Sequence, residues 1–146
     1  MRLTKTTMIA AMIGAITAGA TLAETPHEMR SAMMKAQGKQ LGILGAMVQG
    51  KAPYDAAAAS AAATELDKLA NADWMPAFPA DSLDGKRAMP EIASNMDDFM
   101  AKYEALGAAT TALVAVAGTD LDALKAAFGP VGAACGACHK SYRAPE

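Results

Sequence analysis

The sequence predicts an all-α protein, folded as an antiparallel four-helix bundle with left-handed packing. The chain is rich in Ala, Met and Leu, which are good helix formers, and only 5% of its residues are aromatic. Glycine and proline interrupt this composition at three places and so divide residues 24–146 into four helical segments of one domain. Within the segments, apolar residues recur at alternating steps of three and four, as in the seam of such a bundle.

Residues 1–23 precede this domain and are typical of a secretory signal peptide. Arg2 and Lys5 give a positive start, and the apolar stretch 8–22 is followed by a signal-peptidase-like site that ends at Ala23. About 15 apolar residues are too few for a membrane-spanning helix, which needs ~20. We therefore predict that the signal is removed, that no membrane anchor remains and that the protein is exported to the bacterial periplasm.

The four helices are bounded by Gly, Pro and capping residues. In chain order, the predicted helices cover Pro26–Val48, Tyr54–Asn71, Pro90–Ala117 and Leu121–Tyr142. The segment Asp73–Met89 has no helical period and contains several turn residues, which predicts a long crossover loop. Thr119 or Asp120 can cap the fourth helix.

The seams of the third and fourth helices indicate which residues are buried. The third-helix seam is apolar except for Thr110, whose hydroxyl can bond to a carbonyl one turn earlier. The fourth-helix seam includes Cys135, Cys138 and Tyr142, so both cysteines are predicted to face the core. Pro130 is expected to bend this helix one turn before the cysteines.

The five residues Cys135-Gly136-Ala137-Cys138-His139 carry most of the functional information. They form a C-x-x-C-H motif, which is the attachment signature of haem c, and they include the only two cysteines of the chain. The thiols of Cys135 and Cys138 would form thioethers with the porphyrin, and His139 would be the proximal iron ligand. A single covalently bound haem c is therefore predicted in the core of the bundle.

Other uses of two cysteines agree less well with the sequence. A thiol-disulfide redox centre is usually found near a βαβ unit, which the sequence does not predict. Zinc requires four N or S ligands, and a disulfide between residues three apart on a helix would be strained. A helical thiol oxidoreductase without haem remains a distant alternative. No catalytic constellation is present, so an enzyme is not expected.

The seam of the first helix has two polar members, Arg30 and Gln37, among Met34, Leu41, Leu44 and Val48. A buried Arg30 needs an anionic partner, which a haem propionate would supply; alternatively, Arg30 lies at a frayed end and reaches solvent. Gln37 needs a hydrogen-bond partner. Met34 is expected on the distal side of the haem, opposite His139, where it either binds iron or only packs over it.

Loss of Arg2 and Lys5 with the signal changes the formal net charge from −2 to −4. Two propionates would make the protein more negative. Such a surface argues against binding of nucleic acid or of an anionic membrane. A redox partner with a basic docking patch is the expectation that follows.

With these features, the chain resembles the class II c-type cytochromes, which include cytochrome c prime and its low-spin relatives. Beyond the motif and residues 140–143 that follow it, the resemblance is carried by Arg30, by Met34-Lys35 and by the segments 50–55 and 78–82. It implies a four-helix bundle, usually a homodimer packed through the first two helices. It also implies that Arg30 lies near a propionate, that Met34 is distal and that Arg143 lies at the haem edge. Many members have a tryptophan where this chain has Ala93.

Two functions follow from the resemblance. If the sulfur of Met34 binds iron, the haem is six-coordinate and low-spin, and the protein is an electron carrier. If Met34 only packs over the iron, the haem is five-coordinate and high-spin, as in cytochrome c prime, and the protein binds NO or CO. The electron carrier is the main expectation from the sequence and the gas-binding protein is the alternative. The redox partner is not specified by these residues.

Overall fold

The computed structural model of the chain describes residues 24–84 and 87–145. The predicted signal peptide, residues 1–23, lies outside this part. The described residues form five α-helices. They are α1 (Pro26–Val48), α2 (Ala56–Ala70), α3 (Glu91–Ser94), α4 (Met96–Val116) and α5 (Leu121–Tyr142). Within the described ranges, the only pairing of extended residues is an isolated bridge between Ala88 and Arg143.

Helices α1 and α5 have the ends that the sequence predicts, and both begin with a side-chain cap. The hydroxyl of Thr25 accepts a hydrogen bond from the N–H of Glu28, and the Glu28 carboxylate accepts one from the N–H of Thr25. Asp120, one of the two predicted caps, accepts a hydrogen bond of 2.8 Å from the N–H of Ala123. Helix α5 runs through Pro130 without interruption.

The third predicted helix is divided in two, and its prediction as one continuous helix from Pro90 to Ala117 was wrong. Asn95, at φ −131° and ψ 42°, separates α3 from α4. The side chains of Ser94 and Asn95 both donate hydrogen bonds to the carbonyl of Glu91. These local bonds compete with the regular helical pattern and favour a break.

Contacts between helices establish an antiparallel bundle. Towards the end of α2, Asp67 accepts hydrogen bonds from the hydroxyls of Thr110 and Thr111 in α4. At the other end of the same pair, Ser60 of α2 lies against Gly118, just beyond the end of α4. The short connections between α1 and α2 and between α4 and α5 reverse the chain direction. Helices α1 and α5 are therefore antiparallel to each other.

The core contains the predicted seams. Side chains that are at least nine-tenths buried include Arg30, Gln37, Leu44, Phe99, Leu106, Thr110, Leu113, Leu124, Val131 and Tyr142. As predicted, the hydroxyl of Thr110 donates to a carbonyl one turn earlier, that of Gly107, at 2.9 Å. In the part of the chain that the structure describes, no helix combines the length and apolarity needed to span a membrane.

The predicted crossover loop contains two short 3₁₀ turns, Met75–Ala77 and Ala80–Ser82. Trp74, Ala77, Phe78 and Leu83 are buried, so the crossover contributes to the core. It closes one side of the bundle between the N-terminal part of α1 and the C-terminal part of α5.

Candidate haem site

A cavity of about 400 Å³ lies at this end of the bundle, where α1, the crossover, α3, α4 and α5 meet. Apolar side chains from four of these elements form its walls. They are Met34, Trp74, Phe78, Ala88, Ile92 and Phe99. The cavity brings together side chains from both ends of the described chain, and all but one of the predicted site residues line it.

Helix α5 contributes Cys138 and His139 to the cavity wall. Cys135 lies one helical turn earlier, where it packs against the hydrophobic core. Both cysteines are half-buried free thiols. The prediction that the cysteines face the core is confirmed, and the three residues of the motif lie on the cavity side of α5.

Burial acts on all three ionisable groups of the motif. It raises the pKa of the Cys135 and Cys138 thiols above the ordinary value of a thiol. It lowers the pKa of His139, and the nearby Arg143 and Arg87 lower it further because they repel an imidazolium cation. A neutral imidazole has a free nitrogen lone pair, which a metal ligand requires.

Helix α1 contributes Met34 to the cavity wall. Phe128 of α5 lies against Gly45 of α1, which fixes the relative level of the two helices. Met34 lies as many residues before Gly45 in α1 as His139 lies after Phe128 in α5. The two helices are antiparallel and have the same rise per residue, so these equal separations cover the same distance along the bundle. Met34 and His139 therefore lie at about the same height along the bundle, and both line the cavity.

Arg30 is buried, with 7% of its surface exposed, so the alternative in which it reaches solvent is wrong. Its guanidinium donates hydrogen bonds to the carbonyl of Ala77 at 2.7 Å and to the hydroxyl and carbonyl of Ser82 at 2.9 and 3.1 Å. It also lies 5.6 Å from the ring centre of Phe78. Arg30 thus joins α1 to the crossover at the edge of the cavity.

Basic residues surround the cavity, and none of its lining residues is acidic. Besides Arg30 and His139, the basic lining residues are His27, Lys35, Arg87 and Arg143. Arg143 and Lys35 are exposed, and Arg143 follows directly after α5. The basic lining of the cavity contrasts with the net negative charge of the whole chain. The sequence could not show this contrast because these residues come from three separate segments.

A hydrogen bond between Tyr142 and Asp98 lies next to the motif, and the sequence pattern did not predict this bond. Tyr142 lines the cavity, and its hydroxyl donates to Oδ2 of Asp98 at 2.5 Å. Lys102 donates to the other oxygen of the same carboxylate at 2.9 Å. The sequence could have indicated this contact only through the heptad-like register that brings the two helix ends together.

The tryptophan position of the family is occupied by Ala93, which is exposed and does not line the cavity. Trp74 of the crossover lines the cavity instead. Its ring packs against that of Tyr103, with 4.9 Å between ring centres, and its indole N–H donates to the carbonyl of Leu69.

These residues fit a covalently attached haem. Two thiols and an imidazole lie on the cavity side of one helix, and a thioether lies at the same height on the opposite helix. The walls are apolar and aromatic, as a porphyrin ring requires, while the basic edge complements two propionates. The amide nitrogen of Gln37 is buried in the core without a partner among the described residues.

Comparison with known proteins agrees with this fit. The Cytochrome C' family matches residues 25–143. Cytochrome c-556 of Agrobacterium fabrum is 40% identical over 139 residues, which are 95% of this chain and 94% of the relative. A cytochrome c' from Rhodobacter sphaeroides has the same fold, with a TM-score of 0.78, 35% identity and coverage of 85% of this chain and 100% of its own.

Two further solved structures bear on ligands and assembly. A nitric oxide complex of a cytochrome c prime variant from Alcaligenes xylosoxidans has a TM-score of 0.75 and 36% identity, and covers 86% of this chain and 100% of its own. A cytochrome c' with ligand-controlled dimer dissociation has a TM-score of 0.75 and 32% identity, and covers 85% of this chain and 100% of its own. The predicted all-α bundle and its resemblance are therefore confirmed: the chain belongs to the cytochrome c' family, whose cofactor is haem c.

Proposed function

We propose that the chain is a five-coordinate haem c protein that binds NO or CO on the side of the haem facing Met34. The observation that carries the proposal is the cavity itself, which His139 lines together with mostly apolar and aromatic side chains. The similarity to cytochromes c', one of them solved with nitric oxide, supports this function better than the six-coordinate carrier that the sequence analysis favoured. Haem, when bound, supplies an iron that takes a gas ligand and changes its charge by one electron.

The residues of this chain have distinct tasks in the proposed site. Cys135 and Cys138 fix the haem to α5, and His139, kept neutral by burial and by Arg87 and Arg143, offers its nitrogen to the iron. Met34 and the aromatic walls exclude water from the opposite side. A dry apolar surface favours small neutral ligands over anions, which lose their hydration there without compensation.

Arg30 and Arg143 are proposed to hold the propionates. Arg30 is fixed by its bonds to Ala77 and Ser82, so little side-chain entropy is lost when it meets an anion. Arg143 is exposed at the cavity edge and can follow a propionate that extends towards solvent.

Ligation by Met34 is the second candidate function, and one observation favours it. Met34 and His139 line the same cavity at about the same height, as two axial ligands of one iron would. A Met34-ligated haem would make the chain a low-spin electron carrier.

A visible spectrum of the ferrous protein and its Met34→Ala variant separates the two candidates. A five-coordinate protein should give a broad high-spin spectrum in both forms and bind CO without a ligand-dissociation step. A low-spin ferrous spectrum that Met34→Ala converts to high-spin would contradict the proposal and support the carrier. Met33→Ala is the matched control, because Met33 is also half-buried on α1 but does not line the cavity.

A thiol oxidoreductase without haem is disfavoured by the environment of the cysteines. Reactive thiols usually have lowered pKa values, whereas burial raises the pKa of both Cys135 and Cys138. This alternative predicts two titratable thiols in the purified protein and no Soret band, whereas the haem protein has the band and no free thiol.

We propose export to the periplasm, removal of residues 1–23 and assembly as a homodimer through α1 and α2. The dimer is supported by the solved cytochrome c' that shows ligand-controlled dimer dissociation. A redox partner is proposed to dock at the basic edge of the cavity. Its contacting surface should be acidic there, contrary to the basic patch expected from net charge alone.

A further inference from the structure

Asp98 and Lys102 form an ion pair on α4, beside the C-x-x-C-H motif of α5. Nζ of Lys102 lies 2.9 Å from Oδ1 of Asp98, and the side chain of Lys102 is only 24% exposed, compared with 55% for Asp98. Ion pairs close to the surface usually contribute little to stability, and an ammonium group loses hydration when it is buried. Stability alone therefore does not explain why this lysine is held so far inside the protein.

Two contacts hold the ion pair at the haem-binding end of α5. Oδ2 of Asp98 accepts the 2.5 Å hydrogen bond from Tyr142, which lines the cavity. Phe99, the residue after Asp98, lines the same cavity and packs against the ring of Tyr142. Tyr142 lies four residues after Cys138, so the two side chains share one face of α5. The ion pair is thus fixed to the turn that carries the second cysteine of the motif.

Both charges of the pair act on the sulfur of Cys138. Burial is the main cause of the raised pKa of this thiol, Lys102 opposes the rise, and Asp98 adds to it to a smaller extent. The ammonium group therefore lies close enough to the sulfur for a direct electrostatic interaction. Because Cys138 lines the cavity and is a proposed point of haem attachment, charges that act on its sulfur also act on the adjoining edge of the porphyrin.

We propose that Lys102 and Asp98 form a charge pair that sets the reduction potential of the haem from its thioether side. This inference rests on the proposed attachment of haem at Cys138, and it applies whether or not Met34 binds the iron. Ferric haem carries one positive charge more than ferrous haem, so Lys102 favours the ferrous state and Asp98 favours the ferric state. The effect of Lys102 is the larger one, since its side chain is the less exposed of the two.

The test is an equilibrium redox titration of the haem-loaded protein and of two variants, Lys102→Gln and Asp98→Asn. Lys102→Gln should decrease the equilibrium constant for reduction of the haem, and Asp98→Asn should increase it, each by roughly two- to tenfold at low ionic strength. The change should be larger in Lys102→Gln. Lys102→Arg retains the positive charge and should have a potential close to that of the wild type.

The matched controls are Lys125→Gln and Asp97→Asn, which change the net charge by the same amounts. Lys125 also belongs to an ion pair, with Asp122 at 3.7 Å, but it lies about four helical turns before His139 on α5. Asp97 is exposed and directly precedes Asp98 on α4. Shifts of opposite sign that exceed those of the two controls would support the inference. Shifts no larger than those of the controls would overturn it.

Visible spectra of the same samples separate an effect of charge from a change in the ligands of the iron. The spin state should be the same in the wild type, Lys102→Gln and Asp98→Asn. A changed spin state in either variant would contradict the inference, because the variant would then alter the iron ligands. Failure of the proposed function is distinct. A wild-type protein without a Soret band would reject haem attachment, and a low-spin ferrous wild type would reject only the five-coordinate state.

Discussion

The hydroxyl of Tyr142, in the last turn of α5, donates a 2.5 Å hydrogen bond to Asp98, in the first turn of α4. The bond lies one turn beyond His139 and joins the end of the haem-binding helix to its neighbour. Tyr142 also packs edge-on against Phe99, with 5.5 Å between ring centres. The orientation of the haem-binding turn therefore depends on a contact between residues 44 positions apart.

Asp98→Asn should reduce the dependence of stability on acid pH. The hydrogen bonds from Tyr142 and Lys102 lower the pKa of Asp98, so its carboxylate stabilises the fold above its ordinary pKa of about 4. This contribution is lost as the pH falls through the lowered value. Denaturant unfolding between pH 2 and pH 7 measures how the free energy of unfolding depends on pH, and the neighbouring Asp97→Asn is the control. The same loss of stability at acid pH in both variants would contradict the role of Asp98.

Tyr142→Phe should remove a loss of stability at alkaline pH. The bond to Asp98 raises the pKa of Tyr142 from 10.0 to about 12. The folded state therefore keeps this proton when the unfolded chain has released it, and stability falls as the pH rises from 10 to 12. The free energy of unfolding should therefore depend less on pH across this range in Tyr142→Phe than in the wild type, and equal pH dependence would contradict the role of the bond.

Arg30→Gln should lower the free energy of unfolding by about 1–3 kcal/mol, because the carbonyls of Ala77 and Ser82 lose a charged donor. It should also change the pH dependence of the redox potential if the guanidinium stabilises an ionised propionate. Arg143→Gln removes a charge from the cavity edge without removing an anchor of the crossover. It should affect the potential but not stability, and equal effects of both variants on stability would contradict the anchoring role.

Gly107→Ala should destabilise the bundle by about 1–3 kcal/mol. A Cβ atom at this position would lie 2.5 Å from Oδ1 of Asn71, and moving that side chain would disturb its hydrogen bonds to Asp67. Gly38→Ala, in α1, meets no atom within 4 Å and should stabilise by about 0.5–1 kcal/mol through helix propensity. The midpoint temperatures of thermal unfolding of the two variants, compared with that of the wild type, test this. If both temperatures change in the same direction, the predicted clash between α2 and α4 at Gly107 is wrong.

Lys35→Glu should slow oxidation of the ferrous protein by the anionic reagent ferricyanide. In the wild type, this rate should fall as ionic strength rises, in spite of the negative net charge, because the basic cavity edge attracts the anion over about 8 Å at 0.15 M salt. Lys39→Glu is the control, since Lys39 is exposed on α1 but does not line the cavity. Equal slowing in both variants would indicate that only the net charge matters.

The sequence predicted the regular parts of the fold well because their signals are local. The spacing along each seam, together with the flanking Gly and Pro residues and the cap at Asp120, indicates where α1 and α5 begin and end. The break at Asn95 was missed since Ile92, Met96 and Phe99 continue the same apolar spacing across it. Side-chain bonds to the Glu91 carbonyl, which periodicity does not register, produce the break.

The site was predictable as far as residue type and helix face determine it. Cys138, His139, Met34 and Arg30 were expected to face one space, and they line one cavity. The partners of Arg30, the bond between Tyr142 and Asp98 and the basic cavity edge were not predictable. Each depends on how distant segments meet, since Arg30 and Ser82 are 52 residues apart.

The cavity is lined from His27 near the start of α1 to Arg143 just after α5. A chain without α5 would therefore keep the walls from α1, the crossover, α3 and α4 but would have neither thiol of the motif. Covalent attachment of the haem would consequently depend on α5, whereas enclosure of the haem would also depend on the elements that precede α5 in the chain.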